Sequence, residues 1–469
     1  MQENPLFILA DWVHSTKATW QDHSLQAANR AFIDLFACMI AGRDEEVSLK
    51  SLSLAKNWGL GSCPVLGHSE KLSPPMAAFV NGTTAHALDF DDDFDPAKCH
   101  PSAAIIPAIL SVAATAEGNN QQKSGQDLLD AYIIGLEVTG RVGQALNPYH
   151  RRRGWHATAT IGSIGAAAAC ARLMNLNALQ TRHSLSAATS LMGGFMSQFG
   201  SMIKPMHAGL AAMRGVMAAD MAATGITAGD HTFDGPFGLR ALMIGPDADA
   251  RADEMADIDE YGQKSRFNLD QLGKTLIIDD FGLKVKQYPN CGSIHRALDN
   301  LLILRKQHGF TADDIQSIHV DAPASHMRNL PYDHPITAME AKFSLPHALA
   351  LGVLQGQITL DDYQAEKILS PQITALYPKI SRTAIQKMES ECPTVTTVTL
   401  KDGQSISAQR FHPIGSYDTP LSDDQIWQKF WGCAQGQTVP EGLTTFLINM
   451  QQSRHCQPLL SSLPLIKAA

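Results

Sequence analysis

The 469-residue sequence, 44% hydrophobic and 18% charged with 35 glycines and 24 prolines, has the composition of a compact globular protein rather than of a disordered or fibrous one. Its formal net charge of −9 excludes nucleic acid as a bulk partner, because phosphate backbones demand a broad positive face. The length exceeds one ordinary core and predicts two domains, or one large domain carrying an insertion.

At the amino terminus, MQENPLFILADWVHSTKATW mixes its charges instead of setting a basic stretch before an apolar one, so no signal peptide is expected. The eight cysteines (Cys38, Cys63, Cys99, Cys170, Cys291, Cys392, Cys433 and Cys456) form no CxxC or CxxH pair. Neither a zinc knuckle nor a disulfide framework is expected, and reduced thiols in the cytoplasm fit best. From about Leu25 to Asn268 the apolar periodicity is helical. The longest weakly polar run, Ser102 to Ala116, contains Pro107 and falls short of the roughly 20 residues of a membrane span; it predicts a buried helix. IGSIGAAAACARLMNL (161–176) and HAGLAAMRGVMAADMAATG (207–225) carry Ala, Gly and Met where Leu would be usual, which lets helices approach closely in a deep core.

Near Lys274 the texture changes. TLIIDDFGLKVKQYP and IQSIHVDAP contain short β-branched runs, and TVTTVTLKDGQSISAQRF (394–411) reads as two strands about a Lys-Asp-Gly turn. Helical patterns lie between them at Ile294–His308, Lys342–Gln355 and Leu360–Leu369, and helices resume after Ser422, a candidate N-cap. The expected fold class is mainly α: a large all-helical domain, 1–272 and 414–469, interrupted by a smaller α+β lid domain over 273–413. A chain that leaves a domain and returns to it makes two crossings, which favours a lid over a ligand cleft.

HALDFDDDFDPAKCHPS (86–102) puts five aspartates between His86 and His100. Carboxylates and imidazoles can bind a divalent cation, but the sixth-position glycine of an EF-hand loop and an HExxH pair are both missing, and the expectation is no metal. A solvated acidic loop is the plainer alternative. Against it, His100-Pro101 opens an apolar helix, setting an imidazole beside carboxylates at the edge of a core, where its tautomer and pKa can be tuned.

Basic groups recur at helix starts. His156, in RRRGWHATATIGSIG, precedes a helix of small residues that leave room for a ligand. In GSMIKPMHAG, Pro205 suits a first helical turn, so Lys204 adds positive charge where the free N–H groups already favour an anion, and His207 follows within that turn. KVKQYPNCGSIHRALDNLL brings Lys286 and Cys291 together before another helix, although nothing local marks Cys291 as a thiolate apart from that helix start. GLGSCP (59–64) lacks the third glycine of GxGxxG, and no GxxxxGK[ST] or GxSxG occurs. This inventory suits a cofactor-free enzyme for a small polyanion.

Five ordered blocks, AAFVNGTTAHALDFDDDFDPAKCHPSAAIIPAILSVA, GWHATATIGSIGAAAA, GSMIKPMHAGLAAMRGVMAA, KQYPNCGSIHRALD and AKFSLPHALA, resemble the MmgE/PrpD family, which includes 2-methylcitrate dehydratase, cis-aconitate decarboxylase and iminodisuccinate epimerase. The resemblance spans nearly the whole chain. It implies a homodimeric enzyme with a helical domain and an α+β lid, a site between them, and no metal or organic cofactor. It places Asp89 at the family's active-site aspartate, His100 at the histidine of its HP pair, and His156, Lys204 and Lys286 at pocket positions of the decarboxylase branch. Asp93 stands where that branch has threonine and Cys291 where it has histidine, and the loop before His100 is one residue longer.

The expected activity is that of a lyase or isomerase that removes a proton α to a carboxylate of a small di- or tricarboxylate, with dehydration or epimerisation as the outcome. Asp89, His100, His156 and Lys204 are the expected catalytic residues, and Lys286, Asp93, His207 and Cys291 the expected substrate contacts. The alternatives are 2-methylcitrate dehydratase proper, a cis-aconitate-type decarboxylase, a metal-dependent hydrolase on the Asp/His stretch, and a carboxylate-binding protein without turnover.

Overall fold

A computed structural model describes residues 4–245, 265–387 and 391–468; the part of the expected helical stretch at 246–264 lies outside them. The chain divides into two compact units, Met1–Lys284 with Ser422–Ala469, and Val285–Leu421.

The first unit is helical. In chain order it contains α1 (Pro5–Ser15), α2 (Asp22–Gly42), α3 (Glu46–Trp58), a small antiparallel hairpin of β1 (Leu60–Val65) and β2 (His68–Leu72), α4 (Pro74–His86), α5 (Pro101–Gly118), α6 (Gly125–Leu146), α7 (Tyr149–Arg152), α8 (Ile161–Leu173), α9 (Ala178–Leu191), α10 (Ile203–Ala223) and α11 (Leu239–Ile244). Several starts are fixed by reciprocal caps that satisfy orphan N–H donors: Ser124 with Asp127 on α6, and Asn177 with Gln180 on α9. α5 is long and apolar enough to cross a membrane, yet 83% of it is buried inside the protein; it is the central core helix, packed on α4, α8 and α10.

The small-residue stripes let the helices that carry the site meet backbone to backbone. Gly209 of α10 faces Gly82 of α4, and a Cβ on Gly209 would run into the Phe79 carbonyl oxygen and the Thr83 hydroxyl. Gly209→Ala is therefore expected to cost about 3 kcal/mol of stability by overpacking, measured by denaturant titration; an unchanged midpoint would mean that α4 and α10 separate without penalty.

One expectation needs correction. The β-branched run after Lys274 is not a strand: α12 (Ile277–Asp280) is a single helical turn. The reason is long-range, because the Ile277 N–H, an orphan donor at a helix start, donates to Glu137 Oε2 at 2.7 Å while both isoleucines are buried.

The second unit contains α13 (Gly292–His308), β3 (Ile315–Pro323), α14 (Leu345–Gln355), β4 (Ile380–Ile385), β5 (Thr394–Leu400) and β6 (Ser405–Arg410), with short helical turns between. Its sheet order is β4-β3-β5-β6, with β3 and β4 parallel and the other pairs antiparallel. The expected hairpin is present as β5 and β6, and Gly403 takes the left-handed conformation (φ +90°) its turn requires. Residues of α13, α14, β3 and β5 share one apolar core. The chain then returns to the first unit in α15 (Asp423–Cys433), opened by the expected N-cap Ser422 with Gln425 completing a capping box.

Candidate active site

The acidic stretch is not solvated. Asp89, Asp91 and Asp92 are 5%, 0% and 1% exposed, and buried carboxylates persist only with specific compensation. Asp89 receives the Lys204 ammonium at 2.6 Å, Asp91 takes the His86 Nδ1–H at 2.8 Å, and Asp95 pairs with Lys284. Backbone bridges Phe94 to Cys99 and Asp93 to Lys284 hold the loop. Asp89 itself adopts φ +54°, a left-handed conformation that Asp tolerates better than most residues.

His100 is the N-cap residue of α5, with Pro101 in the first turn. Its Nδ1 lies 2.8 Å from the Asp92 carbonyl oxygen. A carbonyl can only accept, so Nδ1 carries the proton and any exchange with a substrate runs through Nε2. Asp89 Oδ1 is 3.8 Å from that Nε2, Asp93 Oδ1 is 3.4 Å from Nδ1, and the His86 ring lies against the His100 ring at 4.3 Å between centroids.

Lys204 occupies the first turn of α10 with its side chain buried. The sequence suggested that a cation there would want an anion; Asp89 supplies it from within the chain, 115 residues away. An ammonium has three donors, so this pair leaves capacity for a substrate carboxylate. Phe199 lies next to both Lys204, at 6.0 Å, and His156, whose ring meets it edge-on at 5.0 Å.

His156 donates its backbone N–H to Gly194 O at 3.0 Å, and its Nδ1 is 2.8 Å from His207 Nδ1. Burial, then Lys204, then His207, His86 and His100 push the His156 pKa well below the ordinary histidine value. Burial, Arg214 and Lys204 bring His207 down to about 4. Both shifts favour the neutral imidazole, and between two neutral rings one Nδ1 donates to the other.

Ligand atoms of His86, Asp89, Asp91 and His100 lie within 4.8 Å of one another. As a cation site the set is poorly suited: the Lys204 ammonium already sits 2.6 Å from Asp89, and the Nδ1 atoms of His86 and His100 are committed to Asp91 and to the Asp92 carbonyl.

Beneath the loop, the Asp92 carboxyl accepts from Ser102 Oγ, which lies 2.7 Å from the Tyr132 hydroxyl; Asp92 Oδ1 is buried without a hydrogen bond among the described residues. Burial first, then Asp34, raises the Asp92 pKa well above the carboxylate range, against the opposing Ser102 bond. The native state therefore keeps a proton that the unfolded chain releases near pH 3.9, and stability falls as pH rises above that value, by up to about 1.4 kcal/mol per pH unit. Asp92→Asn is expected to gain on the parent protein as pH rises from 4 to 7, read by chemical denaturation at several pH values; equal slopes for the two proteins would mean that Asp92 is ionised in the fold.

Within the first unit the structure thus brings together Asp89, Asp93, His100, His156, Lys204 and His207. Lys286 and Cys291 belong to the second unit, where both are buried. There Cys291 stands at the N-cap position of α13 and donates its N–H to Lys342 O at 2.9 Å. Sequence reasoning missed the supporting groups Ser102, Tyr132 and Phe199, for which no local signal exists. The His86–Asp91 pair was in principle visible within the quoted stretch.

The chain matches the MmgE/PrpD N-terminal domain over residues 8–251 and the MmgE/PrpD C-terminal domain over residues 288–444. It belongs to the MmgE/PrpD family. It is 27% identical to human cis-aconitate decarboxylase, covering 94% of this chain and 90% of that protein, and 26% identical to the Mus musculus enzyme, covering 96% and 91%. Identity to cis-aconitate decarboxylase of Aspergillus terreus is 23%, over 94% and 91%. A decarboxylase is a carbon–carbon lyase, and this kinship makes the chain an enzyme of the lyase class.

Proposed function

We propose that the protein acts on a small di- or tricarboxylate by removing a proton α to a carboxylate, the carbanion then expelling a β-leaving group or being reprotonated on the other face. The observation that carries this reading is the buried His156 imidazole, set between His207 and Phe199, whose pKa burial and then Lys204 hold well below the ordinary histidine value. An uncharged imidazole is a competent base, and the adjacent ammonium stabilises the aci-carboxylate as its charge develops, the contribution usually worth most.

In this mechanism Lys204, held by Asp89, binds the carboxylate next to the reacting carbon. His156 Nε2, which makes no hydrogen bond among the described residues, takes the proton. His100, as the imidazolium with a second proton on Nε2, gives that proton to a leaving hydroxyl or to the opposite face of the carbanion, with Asp89 orienting it. Lys286, Cys291 and Asp93 are proposed, on the family's pattern, to recognise the rest of the substrate. None of these steps requires a metal or organic cofactor. A cytoplasmic homodimer completes the reading; eight free, buried cysteines suit a reducing compartment.

Decarboxylation is the second reading, favoured by the names of the relatives. Loss of CO₂ leaves the same carbanion without a base, and His156 or His100 would then protonate it.

Proton NMR of the enzyme in D₂O, with chelator present, tests both against citrate, 2-methylcitrate, cis-aconitate and the stereoisomers of iminodisuccinate. Deuterium entry or water loss supports proton removal. Release of CO₂ from cis-aconitate, with no deuterium entering unreacted substrate, moves the assignment to the second reading. Silence across the panel rejects both for these substrates, and activity abolished by chelator points to a metal-dependent hydrolase.

A further inference from the structure

The His156–His207 contact has a geometry that a substrate-binding role for His207 does not explain. Both partners present Nδ1, at 2.8 Å, with ring centroids 5.0 Å apart and planes inclined by 48°. Because the two imidazoles share one hydrogen bond, their tautomers are locked together. If His156 carries hydrogen on Nδ1, its Nε2 is a base; if His207 carries it, His156 Nε2–H is an acid.

The surroundings oppose a lasting positive charge on His156. Lys204 and His207 face it from α10, His86 from α4, and His100 from the start of α5. Lys204 and Arg214 act on His207 from its own helix, and the Arg214 guanidinium is anchored on Gly193 O at 2.9 Å and Ala159 O at 3.4 Å. A proton taken from substrate therefore cannot rest on His156 at low cost. Among the described residues its one side-chain hydrogen bond leads to His207, whose Nε2 lies where Gly194 has no side chain; a Cβ there would come within 3.0 Å of it.

We propose that His207 is the positioning and relay partner of His156. The step, which rests on the proton-transfer role given to His156 above, balances as follows. The substrate C–H bond breaks with its electron pair left on carbon, and the proton bonds to His156 Nε2. The His156 Nδ1–H bond breaks as a bond to His207 Nδ1 forms, and His207 releases its Nε2 proton to water. Both rings end neutral with their tautomers exchanged, and His156 is now an acid at Nε2. The relay clears the charge from beside Lys204 and lets one histidine serve as base and then as acid.

The test uses the full-length protein and His207→Asn, whose amide keeps a hydrogen-bonding atom near the Nδ1 position but carries no mobile proton. In wild type, solvent deuterium replaces the abstracted proton quickly. In His207→Asn the proton is trapped on His156 and returned to the same molecule, so the ratio of deuterium entry to turnover falls, and kcat falls about 100-fold with little change in KM. An unchanged ratio and kcat would overturn the relay. Nitrogen-15 spectra of histidine-labelled wild-type protein test it without any substrate: one Nδ1–H and one Nε2–H tautomer among these two residues supports it, and two Nε2–H tautomers refute it. A protein inert toward every carboxylate tested but with the paired tautomers would reject the proposed activity and leave the coupling standing.

Discussion

Lys204→Met is expected to lower kcat/KM by about 10³-fold, the upper range for deleting one group that meets developing charge. It is also expected to lower stability by about 3–5 kcal/mol, because it leaves the Asp89 carboxylate buried with its ammonium partner gone. These two effects separate in a double-mutant cycle. Lys204→Met combined with Asp89→Asn removes both charges and should recover most of the stability while recovering none of the activity. Steady-state kinetics and thermal unfolding of the four proteins decide it. A double variant that regains turnover would show that Lys204 matters only as a structural partner of Asp89, and unchanged kinetics in the single variant would take Lys204 out of the site.

The second large effect concerns His156. His156→Gln is expected to abolish deuterium exchange into substrate and to reduce kcat by about 10²–10⁴-fold, the range for loss of a positioned general base, while substrate binding measured by calorimetry persists. Retained exchange would reassign the base, with His100 next in line. The pH profile supplies a further check. The base works as the neutral imidazole, and burial followed by Lys204 lowers its pKa. Activity should therefore survive as pH falls past the ordinary histidine value of about 6.5, and its acid limb should lie below that point. A limb at or above 6.5 would mean that a different group titrates.

Much of the site could be read from sequence because its members sit at chain positions with physical meaning. His100 precedes a proline at a helix start, Lys204 lies in another first turn, and Asp89 belongs to an acidic run beside two histidines. What could not be read was how each charge is compensated. The ammonium of Lys204 and the carboxylate of Asp89 are far apart in the chain, and neither local pattern names the other. The same limit hid the raised pKa of Asp92, set by the depth of the core and by Asp34 against the opposing Ser102 bond. It also turned the β-branched run at Thr275–Ile278 into a helical turn, since the decisive acceptor is Glu137 on α6. Periodicity served well where packing is local, as in the β5–β6 hairpin and the Ser422 cap. The close approach of α4 and α10 was legible only as a surplus of small residues, without the pairing of Gly82 to Gly209.

One contact between the beginning and the end of the first unit bears on when the site can form. Lys429, on α15, lies 2.6 Å from Asp34 of α2, donates to the Phe90 carbonyl at 2.7 Å and stands over the Phe90 ring at 3.9 Å. Burial alone would lower its pKa, yet Asp34 and neighbouring cysteines hold it above the ordinary lysine value. The acidic loop thus hangs on a cation that a ribosome delivers more than 300 residues after the loop itself. Until then Asp34 lacks its Lys429 partner in a core with Asp92 close by, and a nascent chain stopped before residue 429 carries every catalytic group proposed here without the cation that ties the loop to α2. Activity is accordingly expected to arise late in synthesis and all at once, rather than growing with chain length.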